Sequence, residues 1–232
     1  GWRVALGSML PLALLLAAFT WWRIPADVVA GPVPPWRALL VWPVTRLRWL
    51  MAVQLCAGIA LSAFVTYLPL FAHGNQMSVA QGGQLLALFG VMGIVSRVVL
   101  TPLAARLRDE SRLLGALLLL AAGALLLLLQ TGPALSWGIW LATLVLGLSA
   151  VATNAIAMAM LLRDAQFGNP AQGSGWLSVA FFGGMASGPL LFGWSLQQGS
   201  GFALGWLLLS GVLLLGALAA ACLSLVRRGR PA

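Results

Sequence analysis

Seven apolar runs of bilayer-crossing length, divided by short polar connections, constrain this chain more than any other feature. They cover residues 4–22, 49–72, 81–103, 113–130, 136–161, 174–196 and 202–226. A helix needs about 20 apolar residues to cross a hydrocarbon layer about 30 Å thick. Only 7% of the 232 residues are charged, and mean hydropathy is +0.99. A soluble domain carries about 25% charged residues, so this chain cannot cover itself with a solvated surface. The expected fold class is an all-α membrane protein with seven transmembrane helices.

The charges are ordered. All thirteen basic residues are Arg, and eleven lie in the connections after the first, third and fifth runs or in the tail after the seventh. The connections 73–80, 131–135 and 197–201 on the other side hold none. The positive-inside rule makes the Arg-bearing side cytoplasmic and ends the chain inside. The net charge of +9 is therefore a topology signal, and no nucleic-acid partner is expected. The four acids Asp27, Asp109, Glu110 and Asp164 share the Arg-bearing side. No Asp, Glu or His stands at depth to relay protons. Cys56 and Cys222 read as small buried hydrophobes. His73 stands alone in a short loop, so no metal or other cofactor is expected. Gly1 with only Arg3 before the first run does not read as a signal peptide, but as a protein entered in the middle.

Polar residues inside the runs mark candidate sites. Gln54, Gly58, Ser62 and Thr66 recur every four residues and share a helix face. Such a stripe is either the wall of an aqueous cavity or a helix–helix contact. Ser149, Thr153 and Asn154 fall near the middle of the fifth run, where an amide must point into the bundle. In the sixth run Ala180, Gly184 and Gly188 have small-xxx-small spacing, with Gly183 and Ser187 beside them, and Pro189 follows as a kink or break. Packing and a flexible gate both fit that pattern.

The stretch 93–112 organises the rest. Arg97 is the one charge well inside a run, about 9 Å from Leu103 at 1.5 Å per residue. Gly93 is four residues earlier on the same face. Pro102 is a breaker before a charged hairpin, Arg106 to Arg112. Arg97 either snorkels and supports the turn or binds an anion at a cavity floor. Prolines 25, 32, 34, 35 and 43 forbid one helix through 23–48, although 36–48 suits an amphipathic interfacial piece. No Gly-x-Ser-x-Gly, His-Glu-x-x-His or phosphate loop is present, so no catalytic residue is expected.

Gly93-x-x-x-Arg97 followed by Thr101-Pro102-Leu103-Ala104-Ala105-Arg106-Leu107-Arg108 resembles the repeated loop motif of the major facilitator superfamily. Gly188-Pro189-Leu190-Leu191-Phe192-Gly193 is similar to that family's eleventh-helix segment, and Gln198-Gly199-Ser200-Gly201 to the turn before its twelfth. The resemblance implies that 1–22 is the last helix of an N-terminal bundle, 23–48 a central cytoplasmic loop, 49–226 a C-terminal six-helix bundle and 227–232 a basic tail. The last six helices would then form a 3+3 inverted repeat, one half of a transporter working by alternating access. Thr101 replaces the motif's Gly and Ala105 its Asp, so that acid's role does not carry over. Arg97 and Arg106 are then expected to find other partners, such as helix C-terminal carbonyls.

The function implied is secondary transport of a small solute across a bacterial inner membrane, by a fragment that does not transport alone. The implied partners are lipid, a small-molecule substrate and the missing N-terminal half. The expected cavity residues are Gln54, Ser62, Thr66, Thr153 and Asn154. Gly93, Arg97, Pro102, Arg106 and Arg108 form the loop motif, and Gly184, Gly188, Pro189 and Gly193 serve packing or gating. A stand-alone seven-span receptor or sensor is the rival, and an intramembrane enzyme a second.

Overall fold

A computed structural model describes residues 2–23, 42–107, 109–132 and 135–228. The fold is all-α. The helices are α1 (Trp2–Arg23), α2 (Thr45–Gly74), α3 (Val79–Ala105), α4 (Glu110–Leu128), α5 (Trp137–Arg163), α6 (Pro170–Gln197) and α7 (Phe202–Arg228), with a 3₁₀ turn at Ala165–Phe167. Helices α2 to α7 are each long and apolar enough to cross a membrane. Helix α1 belongs to a separate unit, residues 1–41, and exposes Leu14, Leu15, Phe19 and Trp22. Residues 42–232 form the second unit.

The helices overrun the apolar runs by two to four residues at several ends, because polar caps and not hydropathy set their limits. Ser78 and Gln81 form a capping box that starts α3. Asp109 caps α4, and Asn169 caps α6 with Pro170 in the first turn. Helix α2 begins at Thr45, so Arg46 and Arg48 lie in its first turn and not in the connection. Of the expected interfacial piece 36–48, residues 42–44 are non-helical and 45–48 begin α2, while 36–41 lie outside the described residues. Helix α4 begins at Glu110, which shortens the charged hairpin to a turn of four residues. Pro102 and Pro189 do not break their helices, which run on to Ala105 and Gln197. Membrane helices tolerate such prolines where neighbouring groups take up the freed backbone.

The packing follows an internal exchange. Helix α2 packs most on α6 and then on α7, while α5 packs most on α3 and then on α4. Swapping α2–α4 with α5–α7 turns each of these pairs into the other, and leaves the third large contact, α4 on α7, as its own equivalent. Three spans separate equivalent helices, so the second unit crosses the membrane in the opposite sense. This is the 3+3 inverted repeat. Helices α3 and α6 are equivalent in it, and they are the least covered. In their most apolar windows 17% and 28% of residues are buried, against 50–61% in the other four.

Glycines set the closest approaches. On α2·α6, a Cβ at Gly58 would collide with the Phe181 carbonyl, one at Gly184 with that of Leu55, and one at Gly188 with that of Ile59. On α3·α5, a Cβ at Gly147 would lie 2.7 Å from Met92 Cβ, and one at Gly93 3.2 Å from Val151 Cγ1. Without a hydrophobic drive between helices in lipid, such backbone proximity is what dispersion and dipole contacts have to work with. Gly183, beside Gly184, has nothing within 4 Å of its hypothetical Cβ. Gly184→Ala should therefore destabilise the bundle by about 1–3 kcal/mol through overpacking, while Gly183→Ala should be neutral or slightly stabilising. Thermal unfolding of the two purified variants in detergent checks the contrast.

Candidate functional site

The described bundle holds a cavity of about 210 Å³ walled by α2, α5 and α6. Gln54 contributes from α2, Asn154 and Met158 from α5, and Ser178, Phe181 and Phe182 from α6. Gln54 is nine residues in from Thr45, Asn154 nine from Arg163 and Ser178 eight from Pro170. At 1.5 Å per residue all three sit about 12–14 Å from the Arg-bearing helix ends, so they meet at one depth.

Gln54 is 1% exposed, and its Nε2 donates to the Thr153 carbonyl on α5 at 3.0 Å. Only the amide nitrogen can donate to a carbonyl, so this bond fixes the amide's orientation. Oε1 is left buried without a partner. An unsatisfied buried acceptor costs about 1–3 kcal/mol. Asn154 and Ser178 can both donate and accept. Phe181, Phe182, Met158 and Leu177 supply apolar wall, and no lining residue carries charge.

Gln54 and Asn154 both line this cavity, and Thr153 adjoins it through its backbone, its own hydroxyl donating to the Ala150 carbonyl at 2.7 Å. Ser62 and Thr66 do not. Ser62 is buried beside Gly188 in the α2·α6 seam and donates to Ile59 O at 3.3 Å, and Thr66 is exposed. The stripe divides because the α2·α6 contact takes its middle, at Gly58 and Ser62. Ser178, Phe181 and Phe182 escaped sequence reasoning. Their signal was a pair of bulky rings one turn after a serine, ahead of an otherwise small-residue run.

The loop-motif residues lie elsewhere. Gly93 is buried against Val151, whereas Arg97, one turn further along α3, is exposed. Arg97 and Arg106 have no hydrogen-bond or ion-pair partner among the described residues, and Arg108 lies outside them. The carbonyl-binding arginines are others. Arg46 donates to Val226 O at the end of α7, at 3.2 Å, and Arg163 Nε to Ala159 O, at 3.0 Å. Arg163 also pairs with Glu110 at 2.9 Å, which ties the end of α5 to the start of α4. Asp109 pairs with Arg112 at 3.2 Å.

The residues expected to pack or gate do pack. Gly184 and Gly188 close the α2·α6 seam. The Tyr67 hydroxyl donates to the Pro189 carbonyl at 3.1 Å, and its ring stacks on Phe192 with centroids 4.6 Å apart. Gly193 makes room for that hydroxyl, because a Cβ there would lie 2.7 Å from it. A second, open hollow of about 320 Å³ adjoins Thr45, Arg48, Trp49 and Ala52, where Arg48 already donates to Thr45 Oγ1 at 2.8 Å. Among the described residues no group of His, Cys, Asp or Glu is arranged to hold a metal ion.

The sequence model of the Major Facilitator Superfamily matches residues 1–189. That is well over half of the chain, and the chain belongs to this superfamily of membrane transporters. No curated protein matches it at a significant level.

The Tyr67–Gly193 fit yields a size test. Gly193→Ala should destabilise by about 1 kcal/mol or more by pressing on the tyrosine hydroxyl. In a Tyr67→Phe background the same change should cost close to nothing, because the crowded atom is gone. A double-mutant cycle on unfolding midpoints measures the coupling.

Proposed function

We propose that this major facilitator superfamily member carries the substrate wall of a secondary transporter that moves a small solute by alternating access. The observation that carries the reading is the convergence of Gln54, Asn154 and Ser178 at one membrane depth, where helices from both repeat units meet. Transporter sites of this class lie at repeat interfaces. The cavity is one wall. The thinly covered faces of α3 and α6 are where a second bundle docks and closes it, and α3 brings Arg97, whose charge is costly against lipid at that depth. This bundle by itself does not transport.

The Arg-bearing ends face the cytoplasm, in a bacterial inner membrane, by the positive-inside rule. Residues 49–226, with the few helical residues before and after them, are the six-helix bundle, 1–22 a helix of the partner bundle, 23–48 the cytoplasmic linker and 227–232 the basic tail. Pro102 and Arg106 stand at the end of α3 before the turn to α4, and Gly93 spaces α3 from α5. Coupling to protons would need an acid from outside this cavity, since none lines it. No sequence feature supplies the input or output element that a receptor would need.

Alternating access makes a prediction that needs no identified substrate. In the intact protein with Cys56 and Cys222 replaced by Ser, Asn154→Cys should react with a membrane-impermeant maleimide in both right-side-out and inside-out vesicles. Labelling from one side only, under every condition, would mean that the cavity does not alternate.

A further inference from the structure

The composition of the cavity sets what it can hold. Gln54 lines the cavity, one hydrogen of its Nε2 is held by Thr153 O, and its Oε1 is buried without a donor. The other polar groups, Asn154 and Ser178, adapt to either role. No charged side chain lines the wall to compensate an ion, and the rest of the surface is aromatic or aliphatic. We propose, resting on the transport reading above, that the site selects an uncharged amphipathic solute which presents an O–H or N–H donor to Gln54 Oε1 and lays an apolar body on Phe181, Phe182 and Met158.

Each term excludes something. An anion would bring lone pairs against the lone pairs of Oε1. A cation would find no counter-charge on this wall. An apolar solute would leave Oε1 as unsatisfied as before. A solute with a donor alone, such as a free sugar, would leave the rings uncovered and waste its other hydroxyls on them. The volume equals that of about seven liquid waters, enough for a ring or a short alkyl chain with one polar head.

The test uses three probes with one body: 3-phenylpropan-1-ol, its methyl ether and 3-phenylpropionate. Half-maximal concentrations for raising the unfolding midpoint of the purified full protein report binding. The alcohol should bind at least about tenfold more tightly than either relative, the scale of one hydrogen bond to a buried acceptor. The ether partitions more readily into detergent, so micelle effects would rank the pair the other way. Gln54→Met keeps the side-chain length, removes the acceptor and should level alcohol with ether. Equal binding of the three by the unaltered protein, tightest binding of the carboxylate, or no response to the alcohol at millimolar concentration overturns the proposal. So does an alcohol preference that survives in Gln54→Met. The unaltered protein carries the main comparison, so a poorly folded variant does not shield the idea. One-sided maleimide labelling with the alcohol preference intact would refute transport and leave this selectivity standing. Two-sided labelling without the preference would refute the selectivity alone.

Discussion

The backbone approach of α2 to α6 through Gly58, Gly184 and Gly188 is the contact on which the rest of the bundle depends. A single Cβ at any of the three would meet a carbonyl of the facing helix, so the separation is set by main chain and not by side chains. This has two consequences. It buries the middle of the α2 polar stripe, which removes Ser62 from any cavity. One turn nearer the Arg-bearing end the helices carry Phe181, Phe182 and Ser178 on one side and Gln54 on the other, and there a hollow remains. The inverted repeat uses the same device at Gly93 and Gly147 on α3·α5, so both halves of the bundle are spaced by absent side chains.

Hydroxyls inside this bundle mostly satisfy themselves. Ser96, Thr143, Ser149, Thr153, Ser195 and Ser224 each donate to a carbonyl three or four residues earlier in their own helix. Such back-bonding places a polar residue in hydrocarbon at little cost and gives it no need of a ligand. A primary amide has no equivalent escape, because it carries two donors and an acceptor. Gln54 therefore reaches across to α5 and still leaves one atom over. Among the described residues the other orphaned side-chain atoms are Thr101 Oγ1, Ser111 Oγ and the indole nitrogens of Trp176 and Trp206. None of them lines the cavity, and Trp206 is enclosed by Phe71, Phe192 and Phe202.

This explains what could be read from the sequence. The six spans within 49–226 were legible because hydrocarbon thickness fixes run length, whereas the inverted repeat came with the family resemblance and is carried in the structure by the packing exchange. Helix ends were less so: the apolar runs stop at Trp49, Leu113 and Leu161, while the hydrogen-bond ladder runs on to Thr45, Glu110 and Arg163. That Gln54 and Asn154 turn into the bundle was legible, because an amide in a span demands a partner. Ser62 and Thr66 were misplaced, since a period of four gives a face but not what the face meets. Phe181 and Phe182 could be placed only once the α2·α6 seam was known. Pro102 and Pro189 read as breakers because the local rule ignores neighbours that support a helix through a missing hydrogen bond.

The Arg-bearing end shows the same substitution of partners. With Ala105 where the motif carries an acid, α3 offers no carboxylate there, and the ion pairing moves to Glu110 with Arg163, joining α4 to α5. Arg46 on the α7 terminus joins α2 to α7, the pair equivalent to α5 and α4 in the repeat exchange. Apart from Arg97, the charges described on α2 to α7 thus lie near helix ends, where water screens them and exposed pairs contribute little. The cavity lies more than 10 Å deeper by helix rise and is read through an amide dipole, adaptable polar groups and rings. On the proposed transport reading, a wall without fixed charge brings no ion of its own to strip of water when a second wall closes over it.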